Sequence, residues 1–244
     1  MEVVGIIPAR YASTRLPGKP LVNINGKTMV EHVYRNSAQA RVLDRVIVAT
    51  DDQRIKSTVE DFGGQALMTA PTHQTGTDRL AEAAAKLEAE IVVNIQGDEP
   101  LIKAEMIEEA VEPLLVDPTL QMATLKRELK EEERLTDPNL VKVVTDQEGD
   151  ALYFSRARIP HNRGAAAKFY EHVGLYVYRR DFLLTFSELA STPLEKAESL
   201  EQLRALENGY RIKVVETEYT SIGVDTEEDL QLVREIMKGE QHGE

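Results

Sequence analysis

The sequence predicts an α/β fold: a mostly parallel central sheet with helices on both faces, plus a smaller antiparallel subregion. Three observations lead there. Short β-branched runs alternate with amphipathic helical stretches over residues 3–114. Beyond Gln121 strand-like runs crowd together. No internal repeat or low-complexity linker interrupts the 244 residues, which favours one continuous domain large enough to bury a core without staples.

The first strand is the apolar run 3–7, stopped at Pro8. A loop follows with Arg10, Tyr11, Ser13, Thr14, Arg15, Pro17, Gly18 and Lys19. Residues 27–43 read as a helix with Met29, Val30, Val33, Tyr34 and Ala38 on one face. Residues 45–50 are a strand, and Asp51-Asp52 opens a helix carrying Ile55, Val59 and Phe62 that ends at Gly63-Gly64. A short strand at 65–68, a helix at 78–89, a strand at 90–95 and a helix around Met106, Ile107, Ala110, Val111 and Leu114 complete the alternation. The crowded half has strand-like runs at 122–126, 140–145, 151–155 and 173–178. Between them lie a solvated helix at 130–134 and a mobile loop at 162–167. A helix at 197–207, a strand at 211–216, a closing helix at 226–238 and a frayed end at 239–244 finish the chain.

Composition narrows the function. There is no Cys, hence no disulfide or thiolate chemistry, which suits a reducing cytoplasm. No signal peptide and no long apolar span is present, so no membrane partner is expected. A net charge of −13, 5% aromatic residues and no Trp argue against a nucleic-acid partner.

Against that acidic background, residues 3–30 hold no Asp or Glu but contain Arg10, Arg15, Lys19 and Lys27. Backbone N–H groups, hydroxyls and cations at the carboxyl end of a first strand form an anion cradle suited to a polyphosphate, where open sheets bind ligands. A solvated basic loop is the plainer alternative. Gly26-Lys27-Thr28 is not a P-loop, because the Gly needed five residues earlier is Leu21.

Asp98, just past the strand 90–95, is a candidate Mg²⁺ ligand, or else a turn residue satisfying backbone donors. Asp225 offers a second carboxylate; alternatively it caps the closing helix, or Thr226 caps it with Asp229 reaching back. Alternation places His172, Gly174, Tyr176 and Tyr178 on one strand face, a floor for a hydroxylated ligand or a solvent-facing side. Glu201 and Gln202 lie beside inward leucines, and Arg156 ends a strand where it could clamp a carboxylate.

Together these segments resemble the sugar nucleotidyltransferases that use CTP, and among them the CMP-Kdo synthetase group (Kdo, 3-deoxy-manno-octulosonate). The matching blocks are residues 7–21, Val48-Ala49-Thr50-Asp51-Asp52, Gln74-Thr75-Gly76-Thr77-Asp78-Arg79 and Asn94-Ile95-Gln96-Gly97-Asp98-Glu99-Pro100. Ala151-Leu152-Tyr153-Phe154-Ser155-Arg156 with Ile159-Pro160, Leu200-Glu201-Gln202-Leu203-Arg204 and Gly223-Val224-Asp225-Thr226 continue them in order over nearly the whole chain.

The resemblance implies a Rossmann-like, nucleotide-diphospho-sugar-transferase-like fold and a cytosolic, Mg²⁺-dependent homodimer. Such an enzyme transfers CMP from CTP to Kdo for lipopolysaccharide. It implies a nucleotide part at about 1–120, a sugar and dimerisation part at about 121–220, and the closing helix. By the same likeness Pro8, Ala9, Arg10, Ser13, Arg15, Lys19, Thr75, Arg79, Gln96 and Asp98 meet the nucleotide. Gln96, Arg156, Arg163, His172, Tyr176, Glu201 and Gln202 meet the sugar. Asp98 and Asp225 carry the metal, and Lys19, Arg10 and Arg15 join them in catalysis. The likeness departs where Met68-Thr69 is followed by Ala70-Pro71 instead of an Arg, and residues 163–168 are shorter than in some members. Activation of 8-amino-Kdo or a sialate-type sugar, and an idle nucleotide-binding protein, are the rival readings.

Overall fold

The computed structural model describes residues 1–12, 16–73, 75–130, 132–164 and 167–241. Ser13, Arg15, Gln74, part of the 162–167 loop and the last three residues lie outside them. The chain forms two compact units, Met1–Glu108 with Thr220–Glu244, and Glu109–Tyr219.

In the first unit β1 (Val3–Ala9) buries all but Pro8. Side chains covered on both faces are the mark of a central parallel strand. After a 3-10 turn at Lys19–Leu21, β2 (Asn23–Ile24) and β3 (Lys27–Thr28) pair as a hairpin. Asn25 and Gly26 form its tip with φ of 49° and 98°, the positive values that an Asn-Gly hairpin turn needs. The hairpin takes the residues with which the helix was expected to begin. α1 (Met29–Ser37) therefore starts at Thr28, whose hydroxyl accepts from the Glu31 N–H, and it ends six residues early. Next come β4 (Arg45–Thr50), α2 (Gln53–Asp61), β5 (Gln65–Met68), α3 (Gly76–Ala85), β6 (Ile91–Asn94) and α4 (Ala104–Val116). β6, β1, β4 and β5 lie side by side, all parallel. The unit boundary falls inside α4.

In the second unit β7 (Met122–Glu128) is the spine. β8 (Lys142–Thr145) and β9 (Ala151–Ser155) pair antiparallel with each other. β10 (Tyr170–Arg179) runs antiparallel to β7. An unanticipated helix, α5 (Arg180–Glu188), follows and buries Phe182, Leu183 and Phe186. The helix expected at 197–207 is two pieces, α6 (Pro193–Glu198) and α7 (Leu203–Glu207). Ser199 between them takes φ 52°, a left-handed conformation that ends α6. β11 (Ile212–Glu216) adds to β7 in parallel.

The chain then returns to the first unit as α8 (Glu227–Gln241). Its Leu230, Val233 and Met237 pack with Val224 against Ile24, Met29 and Leu101, all at most 8% exposed. That cluster seats the start of α8 beside the hairpin. The expected fold is present: a mostly parallel α/β sheet and a smaller antiparallel subregion.

Candidate active site

Two carboxylates far apart in sequence meet on one ammonium. Lys19 Nζ lies 2.6 Å from Asp98 Oδ2 and 3.0 Å from Asp225 Oδ1. Three backbone features bring them together. Ile95 N–H donates to the Ile6 carbonyl at 3.0 Å, which carries the β1–β6 pairing to the strand ends. A Cβ on Gly97 would lie 2.9 Å from the Pro8 carbonyl oxygen, so only glycine lets the turn approach β1 this closely. Val224 N–H donates to the Asp98 carbonyl at 2.9 Å, which puts Asp225 beside Asp98.

Asp225 is not the helix cap. Thr226 Oγ1 accepts from Asp229 N–H, while Asp229 Oδ2 accepts from the N–H groups of Asp225 and Thr226 at 3.0 and 2.9 Å. Thr226 and Asp229 form the capping box, and the Asp225 carboxylate reaches Lys19 instead. Two carboxylates that already hold one cation between them fit Mg²⁺, which takes one or two carboxylates plus substrate phosphate.

The basic loop leaves β1 here. Gly18 N–H donates to the Tyr11 carbonyl at 3.3 Å and Lys19 N–H to the Leu16 carbonyl at 3.1 Å, closing the loop on itself. The Tyr11 ring lies under the Arg54 guanidinium at 3.4 Å. Arg10 is exposed, Ala9 buried and Pro8 half-buried. Gln96 is half-buried, and its carbonyl accepts from Glu99 N–H.

The segment around Thr75 and Arg79, expected to meet the nucleotide, is tightly tied. Thr75 caps α3 by accepting from Asp78 N–H. Arg79, 3% exposed, donates to Asp51 Oδ2 at 2.8 Å and also to the Thr69 hydroxyl, so it joins two of the sequence blocks from within. Glu82 went unremarked in the sequence. It accepts from Ala70 N–H at 2.8 Å and from Lys86 Nζ at 2.6 Å, and it also bonds His73. These partners, led by Lys86, pull its carboxyl down to about 2. Glu82 thus anchors the stretch in which Ala70-Pro71 departs from the family pattern.

In the second unit the His172 face is not a solvated strand side. Its ring sits 5.1 Å from Phe154 and 5.2 Å from Tyr176, and Tyr176 lies 6.1 Å from Tyr178. Tyr178 continues the stack to Phe182 and Phe186. Burial, then the Glu201 charge, raises the Tyr176 hydroxyl far above its ordinary range. Gln202 is buried at the head of α7. Glu201 lies 3.4 Å from the Arg204 guanidinium, which is bonded chiefly to Glu195 and stacked on Phe186. Arg163 is exposed.

Arg156 is held firmly. Its side chain donates to the carbonyls of Glu198 at 2.8 Å, Pro138 at 2.8 Å and Ser199 at 3.4 Å. Three of a guanidinium's five N–H donors are engaged this way. Under it lies Lys142, 0% exposed, donating to the carbonyls of Asp137, Leu140 and Arg156 at 2.9, 2.6 and 2.6 Å. Lys142→Met would strand three acceptors. Unfolding in urea should show a loss of about 3 kcal/mol or more, and an unchanged midpoint would rule out this anchoring role.

Two partly buried groups set opposing pH dependences. Burial pushes the Glu99 carboxyl up to about 7 from 4.5, so the folded chain keeps a proton that the unfolded chain releases. Glu99 stability is therefore lost as pH rises through that window. Burial pushes the His172 imidazole down to about 3 from 6.5, so its stability is lost as pH falls below 6.5. Between pH 4.5 and 6.5 the two slopes, each roughly 1.4 kcal/mol per pH unit, oppose one another. Glu99→Gln should make urea stability fall toward acid across this window, and His172→Gln should make it rise. Identical slopes in both variants would contradict the assignment.

The cytidylyltransferase family profile matches residues 4–214. The 3-deoxy-manno-octulosonate cytidylyltransferase of Geobacter metallireducens is 57% identical, over 96% of this chain and 97% of its own. That of Syntrophotalea carbinolica is 56% identical, over 98% and 100%. A solved CMP:2-keto-3-deoxy-manno-octonic acid synthetase complexed with CTP superposes with a TM-score of 0.95 at 45% identity, covering 98% of this chain and 100% of its own. The chain belongs to the cytidylyltransferase family, in its 3-deoxy-manno-octulosonate branch.

Proposed function

We propose that this protein transfers CMP from CTP to the anomeric 2-hydroxyl of Kdo, releasing pyrophosphate and CMP-Kdo for lipopolysaccharide synthesis. The observation that carries the reading is the Lys19 ammonium between Asp98 and Asp225 at the end of β1, in a chain 57% identical to a named 3-deoxy-manno-octulosonate cytidylyltransferase. Residues up to about 120, with the closing helix, take the nucleotide; residues from about 121 to 220 take the sugar and a second copy of the chain. The protein works as a homodimer in the cytoplasm. Among the described residues no helix is long and apolar enough to cross a membrane.

The chemistry is displacement at the α-phosphorus by an alcohol. Its difficulty is electrostatic, because a carboxylate-bearing sugar must approach a polyanion. Lys19, with Arg10 and Arg15 from the same loop, neutralises the triphosphate and the charge that grows on departing pyrophosphate. Asp98 and Asp225 hold Mg²⁺, which when bound supplies Lewis acidity at the phosphate and lowers the pKa of the attacking hydroxyl. Thr75, Arg79, Pro8, Ala9, Ser13 and Gln96 order the nucleotide. His172, Tyr176, Glu201, Gln202 and Arg163 line the sugar site, and Arg156 pairs with the sugar's carboxylate. Tyr176→Phe removes one such contact. The KM for Kdo should rise about tenfold, the worth of one hydrogen bond, with the KM for CTP unchanged; equal shifts in both would take Tyr176 out of the sugar site.

The deciding assay is pyrophosphate release from CTP, UTP, ATP and GTP, each with Kdo, 8-amino-Kdo and sialic acid, with and without Mg²⁺. The proposal expects rapid turnover only with CTP, Kdo and metal. Preference for another acid sugar would replace the acceptor, and metal-independent turnover would remove the role of the carboxylates.

A further inference from the structure

β10 leaves regular pairing where it passes Thr124. His172 faces Lys126 and Val173 faces Leu125, yet the next pair is Tyr176 with Thr124. Gly174 and Leu175 are two extra residues, a bulge. Two extra residues preserve the alternation of faces, so His172, Tyr176 and Tyr178 still stack. The bulge also turns two carbonyls onto the buried Thr124 hydroxyl, Val173 at 3.1 Å and Leu175 at 2.8 Å. His172 Nε2 lies 2.9 Å from the same oxygen.

A hydroxyl has one hydrogen, and a carbonyl oxygen can only accept. Two carbonyls at these distances require that hydrogen to point at them. If it pointed at His172 instead, both carbonyls would face lone pairs at close range. The hydrogen of the third contact must therefore sit on the nitrogen: Nε2–H donates to Thr124 Oγ1. A neutral imidazole has only one N–H, so Nδ1 is left as an acceptor. Burial keeps the ring neutral across the physiological range, so its tautomer decides what it recognises.

We propose that Thr124 is a positioning residue: its hydroxyl, oriented by the β10 bulge, fixes His172 as the Nε2–H tautomer, so that Nδ1 accepts a hydrogen bond from a hydroxyl of the acceptor sugar. The opposite tautomer would present a donor and select a carboxylate or carbonyl. The proposal rests on the assignment of His172 to the sugar site, and its first readout does not involve sugar. Protein labelled with ¹⁵N-histidine, with His172 assigned by its loss in His172→Gln, should show Nε2 protonated and Nδ1 unprotonated near neutral pH. Thr124→Val keeps the shape and removes the hydroxyl oxygen that accepts from Nε2–H; it should give mixed tautomers and raise the KM for Kdo about tenfold with the KM for CTP unchanged. Thr124→Ser should restore both.

Wild-type protein protonated at Nδ1, or an unaltered tautomer in Thr124→Val at matched thermal stability, would overturn the proposal. A shifted tautomer with unchanged KM for Kdo would overturn its sugar-recognition half. If Kdo were not the substrate at all, the tautomer readout would still decide whether Thr124 positions His172.

Discussion

Asp98→Asn should lower kcat about 10³-fold or more while leaving the fold intact, the largest single effect expected in this protein. The backbone role of Asp98 survives the change, because its carbonyl, not its carboxylate, accepts from Val224 N–H. The strand end, the Gly97 approach to Pro8 and the start of α8 therefore keep their places. The substitution removes one negative charge from a pair that meets on a single cation. An amide oxygen still ligates magnesium weakly, but it cannot neutralise it. The loss should appear in kcat, with the circular dichroism spectrum and Tm close to wild type. Near-normal turnover would take Asp98 out of the metal site.

Lys19→Ala should lower kcat/KM for CTP by at least about 10²-fold, against less than a twofold change for Lys130→Ala on the exposed surface. Lys19 is nearly buried, with a side chain 13% exposed, so its charge acts with little screening from solvent. The same substitution has a second expected result of opposite sign. Lys19 and a divalent ion compete for the same two carboxylates. Without nucleotide, calorimetric titration should therefore find tighter Mg²⁺ binding to Lys19→Ala than to wild type. A general loss of structure would weaken both functions. Weaker metal binding in the variant would mean that Lys19 does not stand between the carboxylates in solution.

The strands at 45–50, 65–68 and 151–155 were legible to the residue, because short, largely apolar runs bounded by turn residues leave little choice. The hairpin at Asn25-Gly26 was also written in the chain, but the helical spacing of Met29, Val30 and Val33 drew the helix back over Lys27 and Thr28. The break at Ser199 was hidden, since a serine in the left-handed region carries no local signal as strong as glycine.

In the candidate site, local pattern made single residues legible, while the expectation that Lys19, Asp98 and Asp225 share one site came from the family resemblance alone. Residues 19, 98 and 225 are joined by contacts spanning 79 and 206 positions, and no local rule reports such separations. For Asp225 the capping alternatives were stated correctly, and the geometry chose Thr226 with Asp229. Lys142 looked like an ordinary charge in a strand-like run, because three converging carbonyls leave no mark in sequence. Thr124 likewise looked like any β-branched strand residue.

The central claim is that the cations after β1 grip a triphosphate while Asp98 and Asp225 bear on its metal. A crystal structure with Mg²⁺ and a nonhydrolysable CTP analogue tests it most directly. The account predicts the β- and γ-phosphates within hydrogen-bond reach of Lys19, and metal density on both carboxylates. A nucleotide bound elsewhere, with Lys19 still bridging Asp98 and Asp225, would contradict it.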